Sequence, residues 1–125
     1  MDKNLAGFYN HYFKPALVWK HFAEICNIPH PSGSEDKIRQ YLVDFAVAQG
    51  IEHKVDEAGN VVISKPATPG MENRKTIILQ SHMDMVCESN KGVDHDFMND
   101  PISLVVDGEW LKANGTTLGA DNGIG

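Results

Sequence analysis

The run Thr-Ile-Ile-Leu-Gln at residues 76–80 constrains the fold more than any other stretch. Ile77, Ile78 and Leu79 are consecutive, so no two-residue alternation separates a wet face from a dry one. A strand of this kind is expected where both faces are covered, as in a parallel or mixed sheet with helices against it. The pattern therefore predicts a fully buried strand over residues 76–80 and an α/β fold around it.

The rest of the chain supplies the other layers. Residues 1–13 are read as loosely ordered or packed late. A helix is expected to start near Pro15, because proline suits the first helical turn. Its apolar face would be Val18, Phe22, Ile25 and Cys26, and Pro29 and Pro31 would keep it from continuing. Ser32 and Glu35 then have the spacing of a capping box. The helix behind them would turn Ile38, Tyr41, Leu42, Phe45 and Ala46 inward and stop at Gly50. Two short strands joined by Glu57-Ala58-Gly59-Asn60 follow, then a Pro- and Gly-rich loop over residues 65–75. Beyond the buried strand, Asp107-Gly108 between two apolar runs signals a second hairpin. This order of elements points to a single domain over residues 1–125, a mixed sheet flanked by helices.

Bulk properties exclude several classes. The net charge of −6 argues against a nucleic-acid surface. The N-terminal stretch lacks the apolar core and cleavage site of a secretory signal, and no run approaches the length of a membrane span. Cys26 and Cys87, without CxxC spacing, fit a reduced, cytoplasmic protein rather than a disulfide scaffold.

Chemistry is concentrated at two places. His82 and Asp84 follow the buried run, and residues two apart on a strand point the same way. A carboxylate beside an imidazole can take one ring N–H, fix the tautomer and leave the other nitrogen to bind a metal. In an open α/β sheet, sites gather at the carboxyl ends of strands, where His82 would lie. The second place is Gly-Thr-Thr-Leu-Gly-Ala-Asp-Asn-Gly-Ile-Gly at residues 115–125, where Asp121 sits on a permissive backbone. A carboxylate there could bridge two cations about 3.5–4 Å apart. The residues alone leave other roles open. His82 could be a surface or capping histidine, and Asp121 or Asn122 a cap at a glycine-rich turn. The signatures HExxH and GxSxG and the P-loop pattern are absent.

His82-Met83-Asp84-Met85-Val86 resembles the H-x-D-x-V signature of the zinc aminopeptidase, carboxypeptidase and aminoacylase superfamily. Within it, Ile28-Pro29-His30-Pro31-Ser32, the loop at 65–75, His95-Asp96-Phe97, Asp100-Pro101-Ile102, Asp107-Gly108-Glu109-Trp110 and the stretch at 116–125 resemble the cytosolic non-specific dipeptidases, or aminoacyl-histidine dipeptidases. The resemblance runs from about Trp19 to Gly125. It departs at Cys87, where relatives often carry proline, and at Met83, where they often carry leucine.

The resemblance implies zinc-dependent hydrolysis of Xaa-His and other unblocked dipeptides. It implies that His82 binds one zinc, that Asp84 orients His82 and counts as catalytic, and that Asp121 bridges two zinc ions, with cobalt or manganese as substitutes. It further implies a cis peptide at Asp121–Asn122 and a cytoplasmic homodimer whose partner molecule is a dipeptide, with no nucleic acid and no membrane. The family also needs a Glu-Glu pair, a later acidic ligand and a distant histidine, none of which matches a position here. The chain is therefore expected to be the N-terminal portion of the catalytic domain, without the lid or dimerisation domain, and inactive alone. The competing expectations are a non-catalytic α/β interaction domain and another superfamily member, an aminoacylase or a tripeptidase.

Overall fold

The computed structural model describes residues 14–125, so the expectation for residues 1–13 lies outside the described residues. Helix α1 spans Ala16–Cys26, behind Pro15. Its inward face is Phe22, Ile25 and Cys26, while Val18, expected on that face, is exposed. The helix ends at Asn27, whose N–H reaches the carbonyls of Ala23 and Glu24, both at 3.2 Å. Pro29 and Pro31 then keep the chain extended.

Helix α2 spans Asp36–Ala48 and buries Ile38 and Ala46. Gly50 ends it at φ +64°. The Ile51 N–H reaches Ala46 O at 2.9 Å and the Gly50 N–H reaches Val47 O at 3.0 Å, the two bonds of a Schellman motif. The start of α2 differs from expectation. Ser32 and Glu35 form no capping box: Glu35 itself occupies the cap position without a side-chain capping bond. Its carboxylate instead accepts the Gly33 N–H, and the Ser32 hydroxyl is drawn off to another partner. The S-x-x-E spacing is present, but a charged acceptor elsewhere competes for the serine.

Strands β1 (Glu52–Val55) and β2 (Val61–Ser64) form the first expected hairpin, antiparallel with Val55 opposite Val61. Gly59 turns it at φ +87°, and the Arg39 Nε of α2 donates to its carbonyl at 3.0 Å, tying helix to hairpin. A Cβ on Gly59 would lie 2.8 Å from the Arg39 guanidinium, so glycine also makes room for that contact. Strands β3 (Leu104–Asp107) and β4 (Trp110–Ala113) form the second hairpin. Asp107 pairs with Trp110, so the two turn residues are Gly108 and Glu109, one position later than the Asp-Gly pattern suggests. Gly108, at φ +60°, takes the first central place, as a type II′ turn requires.

The α/β class is as expected: two helices and two small antiparallel sheets, with an isolated parallel bridge between Pro31 and Met85. The buried strand over residues 76–80 is not formed. Ile77, Ile78 and Leu79 are 81%, 88% and 89% exposed. A strand exists only by exchanging hydrogen bonds with a neighbour, and none of the described residues pairs with this segment. The core lies instead between α1 and the later segments, where Phe22, Cys26, Met85, Ile102 and Ala120 pack together. The Ile102 N–H donates to Cys26 O at 2.9 Å, and burial pushes the Cys26 thiol up to about 12. Cys26 and Cys87 are both free thiols.

Candidate metal centre

The parallel bridge positions the first motif. The Met85 N–H donates to His30 O at 3.0 Å, and the Ser32 N–H donates to Met85 O at 3.1 Å. Met85 is buried in the core, so the alternation of an extended chain turns His82 and Asp84 to the other side. There the two meet. His82 Nδ1 lies 3.1 Å from Asp84 Oδ1 and 3.2 Å from the Asp84 carbonyl oxygen. With Nδ1 carrying the proton, Nε2 keeps its lone pair for an outside partner. The second carboxylate oxygen, Oδ2, accepts the Ser32 hydroxyl at 2.5 Å. The Ser32 hydroxyl, which outweighs the opposing effect of burial, holds the Asp84 carboxyl below its usual 3.8, with a smaller contribution from the His82 ring.

The second motif packs directly on the first. Gly119 sits at φ +73°, and a Cβ there would come within 2.6 Å of Met85 Sδ. Glycine is required on both counts, for the left-handed backbone and for the thioether lying over it. Ala120 is buried beside Met85 in the same cluster. Gly123 faces Ile25 of α1, where a Cβ would meet a methyl group at 3.5 Å. Between these anchors Asp121 is exposed, and its carboxylate is engaged by no neighbouring side chain among the described residues. The Asp121–Asn122 peptide is cis, as the resemblance implies.

His30 ties the two motifs together, a role that was not legible in the sequence. The ring is completely buried. Its Nε2 lies 2.8 Å from Gly119 O and its Nδ1 2.5 Å from Ile28 O, while its own carbonyl receives the Met85 N–H. One residue thus contacts the backbone of both the segment that follows His82 and the loop that carries Asp121. The only trace in the sequence is a histidine flanked by two prolines, which gives no hint of a partner 89 positions away.

The structure pairs His82 with Asp84 and sets the loop of Asp121 against Met85, three residues after His82. The donors present are an imidazole with one nitrogen tied down and an exposed carboxylate, and both are ligand types that zinc takes. Among the described residues, no three His, Cys, Asp or Glu side chains gather where they could hold one metal ion. Two protein donors fit part of a catalytic zinc site, which usually takes three.

Elsewhere, His21, Glu24 and Tyr41 lock α1 to α2. The Tyr41 hydroxyl donates to Glu24 Oε2 at 2.7 Å, and His21 Nδ1 lies 3.0 Å from both partners. Burial pushes the Glu24 carboxyl up, but the bonds from Tyr41 and His21 outweigh it and hold the group below its usual 4.5.

No family model matches the chain. Over 111 residues it is 54% identical to the cytosol non-specific dipeptidase of Escherichia coli K12, covering 89% of this chain and 23% of that protein. The crystal structure of aminoacylhistidine dipeptidase from Vibrio alginolyticus superposes with a TM-score of 0.84 at 56% identity, again over 89% of this chain and 23% of the other. The resemblance read from the motifs is thus a measured likeness over most of the chain, in sequence and in fold. The chain spans about a quarter of the length of the relatives it matches.

Proposed function

We propose that this chain is the N-terminal portion of the catalytic domain of a zinc-dependent cytoplasmic dipeptidase, in which His82 and Asp121 hold the metal and Asp84 orients His82. The observation that carries this reading is the His82–Asp84 pair, its Nδ1 held at 3.1 Å by the carboxylate, on the segment whose Met85 packs against Gly119 of the loop that carries Asp121. Such a carboxylate fixes the tautomer and makes the imidazole a better donor. The two relatives supply the reaction: their names describe a non-specific dipeptidase and an aminoacylhistidine dipeptidase, so the substrates proposed are unblocked dipeptides, Xaa-His among them. The cytoplasmic location follows the first of those names. No described helix is long and apolar enough to cross a membrane.

In this reading Asp121 presents two carboxylate oxygens to solvent, enough for a bridge between two ions. His82 presents Nε2, and Asp84 holds the ring at a fixed angle. Bound zinc supplies Lewis acidity to a scissile carbonyl and to a water molecule. A general base would take the proton from that water and return it to the leaving amine. The resemblance places that base in a Glu-Glu pair that matches nothing in these 125 residues, so it would come from further chain. A homodimer follows from the same resemblance.

The test uses the whole protein that carries this chain. Dipeptides, tripeptides and acylated amino acids are assayed before and after chelation, then after adding back zinc, cobalt or manganese. Dipeptides are expected to turn over, activity to vanish on chelation, and zinc to restore it. Preferred turnover of tripeptides or acylated amino acids would reassign the substrate. Hydrolysis that survives complete metal removal would refute the reading.

A further inference from the structure

We propose that Ser32 is a positioning residue of this site: its hydroxyl clamps one oxygen of Asp84 so that the other can hold His82 Nδ1–H. The inference rests on the reading of His82 as a metal-binding histidine.

The backbone around Ser32 is pinned. Its N–H is committed to Met85 O at 3.1 Å, Pro31 bridges to Met85, and Gly33, at φ +86°, turns the chain sharply away. Only one side-chain torsion then decides where the hydroxyl points. It lies 2.5 Å from Asp84 Oδ2 and 3.1 Å from Met85 O. A hydroxyl has one proton, and an ionised carboxylate is the stronger acceptor, so the proton goes to Asp84. The alternative use of this serine, capping α2, is ruled out by geometry, because the cap position belongs to Glu35.

The consequence for the site follows from the two oxygens of Asp84. With Oδ2 engaged by Ser32, rotation of the carboxylate is restrained and Oδ1 stays directed at the imidazole. Without the clamp, a carboxylate this exposed would exchange its histidine bond for water. His82 would then sample both neutral tautomers, and the one with Nε2 protonated has no lone pair for the metal on that side. The serine therefore acts through Asp84 on the fraction of His82 that is ready to bind. Partners directly bonded to a metal-binding histidine are worth about 10–100-fold in affinity or activity. Ser32 stands one bond further out, so about tenfold is expected.

The experiment uses the whole protein with Ser32→Ala, Ser32→Thr and His82→Ala. Zinc affinity is measured by chelator competition, kcat and KM on a dipeptide, and the tautomer of His82 in the metal-free protein by imidazole nitrogen NMR at mildly alkaline pH. Ser32→Ala is expected to weaken zinc binding about tenfold and to lower kcat with little change in KM. It should also shift the His82 signal away from the Nδ1-protonated form. Ser32→Thr, which keeps the hydroxyl, is expected to restore all three. Unchanged zinc affinity and tautomer in Ser32→Ala would overturn the inference. So would equal losses in Ser32→Ala and Ser32→Thr, which would indicate a merely structural position. His82→Ala separates the two layers. If it leaves zinc affinity intact, the reading of the metal site fails, and the tautomer signal alone still decides whether Ser32 positions Asp84.

Discussion

Replacing Gly119 by alanine tests the packing that brings the two motifs together. Two costs combine. An alanine at φ +73° sits in the left-handed region, which costs about 1–2 kcal/mol for a residue with a Cβ. The new Cβ would also meet Met85 Sδ at 2.6 Å, Cε at 2.7 Å and Cβ at 3.2 Å. The thioether end can rotate, but Met85 is buried in the core, so it must displace other side chains, and overpacking of that kind costs about 1–3 kcal/mol. The total is about 2–5 kcal/mol. The two costs can be separated by a double-mutant cycle with Met85→Ala. In that background the clashes with Sδ and Cε disappear and only the 3.2 Å approach to Cβ remains, so Gly119→Ala should cost little beyond the backbone share of about 1–2 kcal/mol. The assay is denaturant unfolding of the four proteins in the cycle, with zinc affinity measured alongside. Gly119→Ala should also weaken zinc binding, because Asp121 lies two residues further on. An equal cost of Gly119→Ala in both backgrounds would refute the claim that Met85 is what lies against this glycine.

Two further outcomes follow from the same contacts. His30→Ala should destabilise the fold by about 2 kcal/mol or more, because it empties a buried site and leaves one carbonyl, Gly119 or Ile28, without the single ring N–H of a neutral imidazole, at about 1–3 kcal/mol; unchanged denaturant stability would contradict this. Glu24 titrates below its usual 4.5 in the folded chain, so the stability it contributes is present above that value and is lost as pH falls through the lower, folded value. Tyr41→Phe removes a bond that favours the charged form while burial remains. The acid side of the stability profile should therefore move to higher pH, and an unmoved profile would show that Tyr41 does not hold Glu24 ionised.

Much of the fold is legible locally because its causes are local. Helix α1 stops where prolines follow, α2 stops at a glycine that completes a Schellman motif, and both hairpins turn at glycines of positive φ. The misreadings arise where a distant partner decides. Ser32 and Glu35 carry the spacing of a capping box, but Asp84, 52 positions away, takes the hydroxyl. The run at 76–80 has the composition of a buried strand, yet burial needs neighbours that no described residue supplies. His82 and Asp84 were recognisable together because their contact depends only on the two-residue period of an extended chain. His30 was not, because its significance lies entirely in whose carbonyls it reaches.

His82 and Asp121 are proposed to serve one metal centre. The most direct measurement is anomalous diffraction at the zinc edge from crystals of the whole protein grown with zinc. Metal is expected at about 2.0–2.2 Å from both His82 Nε2 and an Asp121 carboxylate oxygen, with Asp84 still bonded to Nδ1. Zinc bound away from either residue, or held through His82 Nδ1 with Asp84 turned aside, would contradict it.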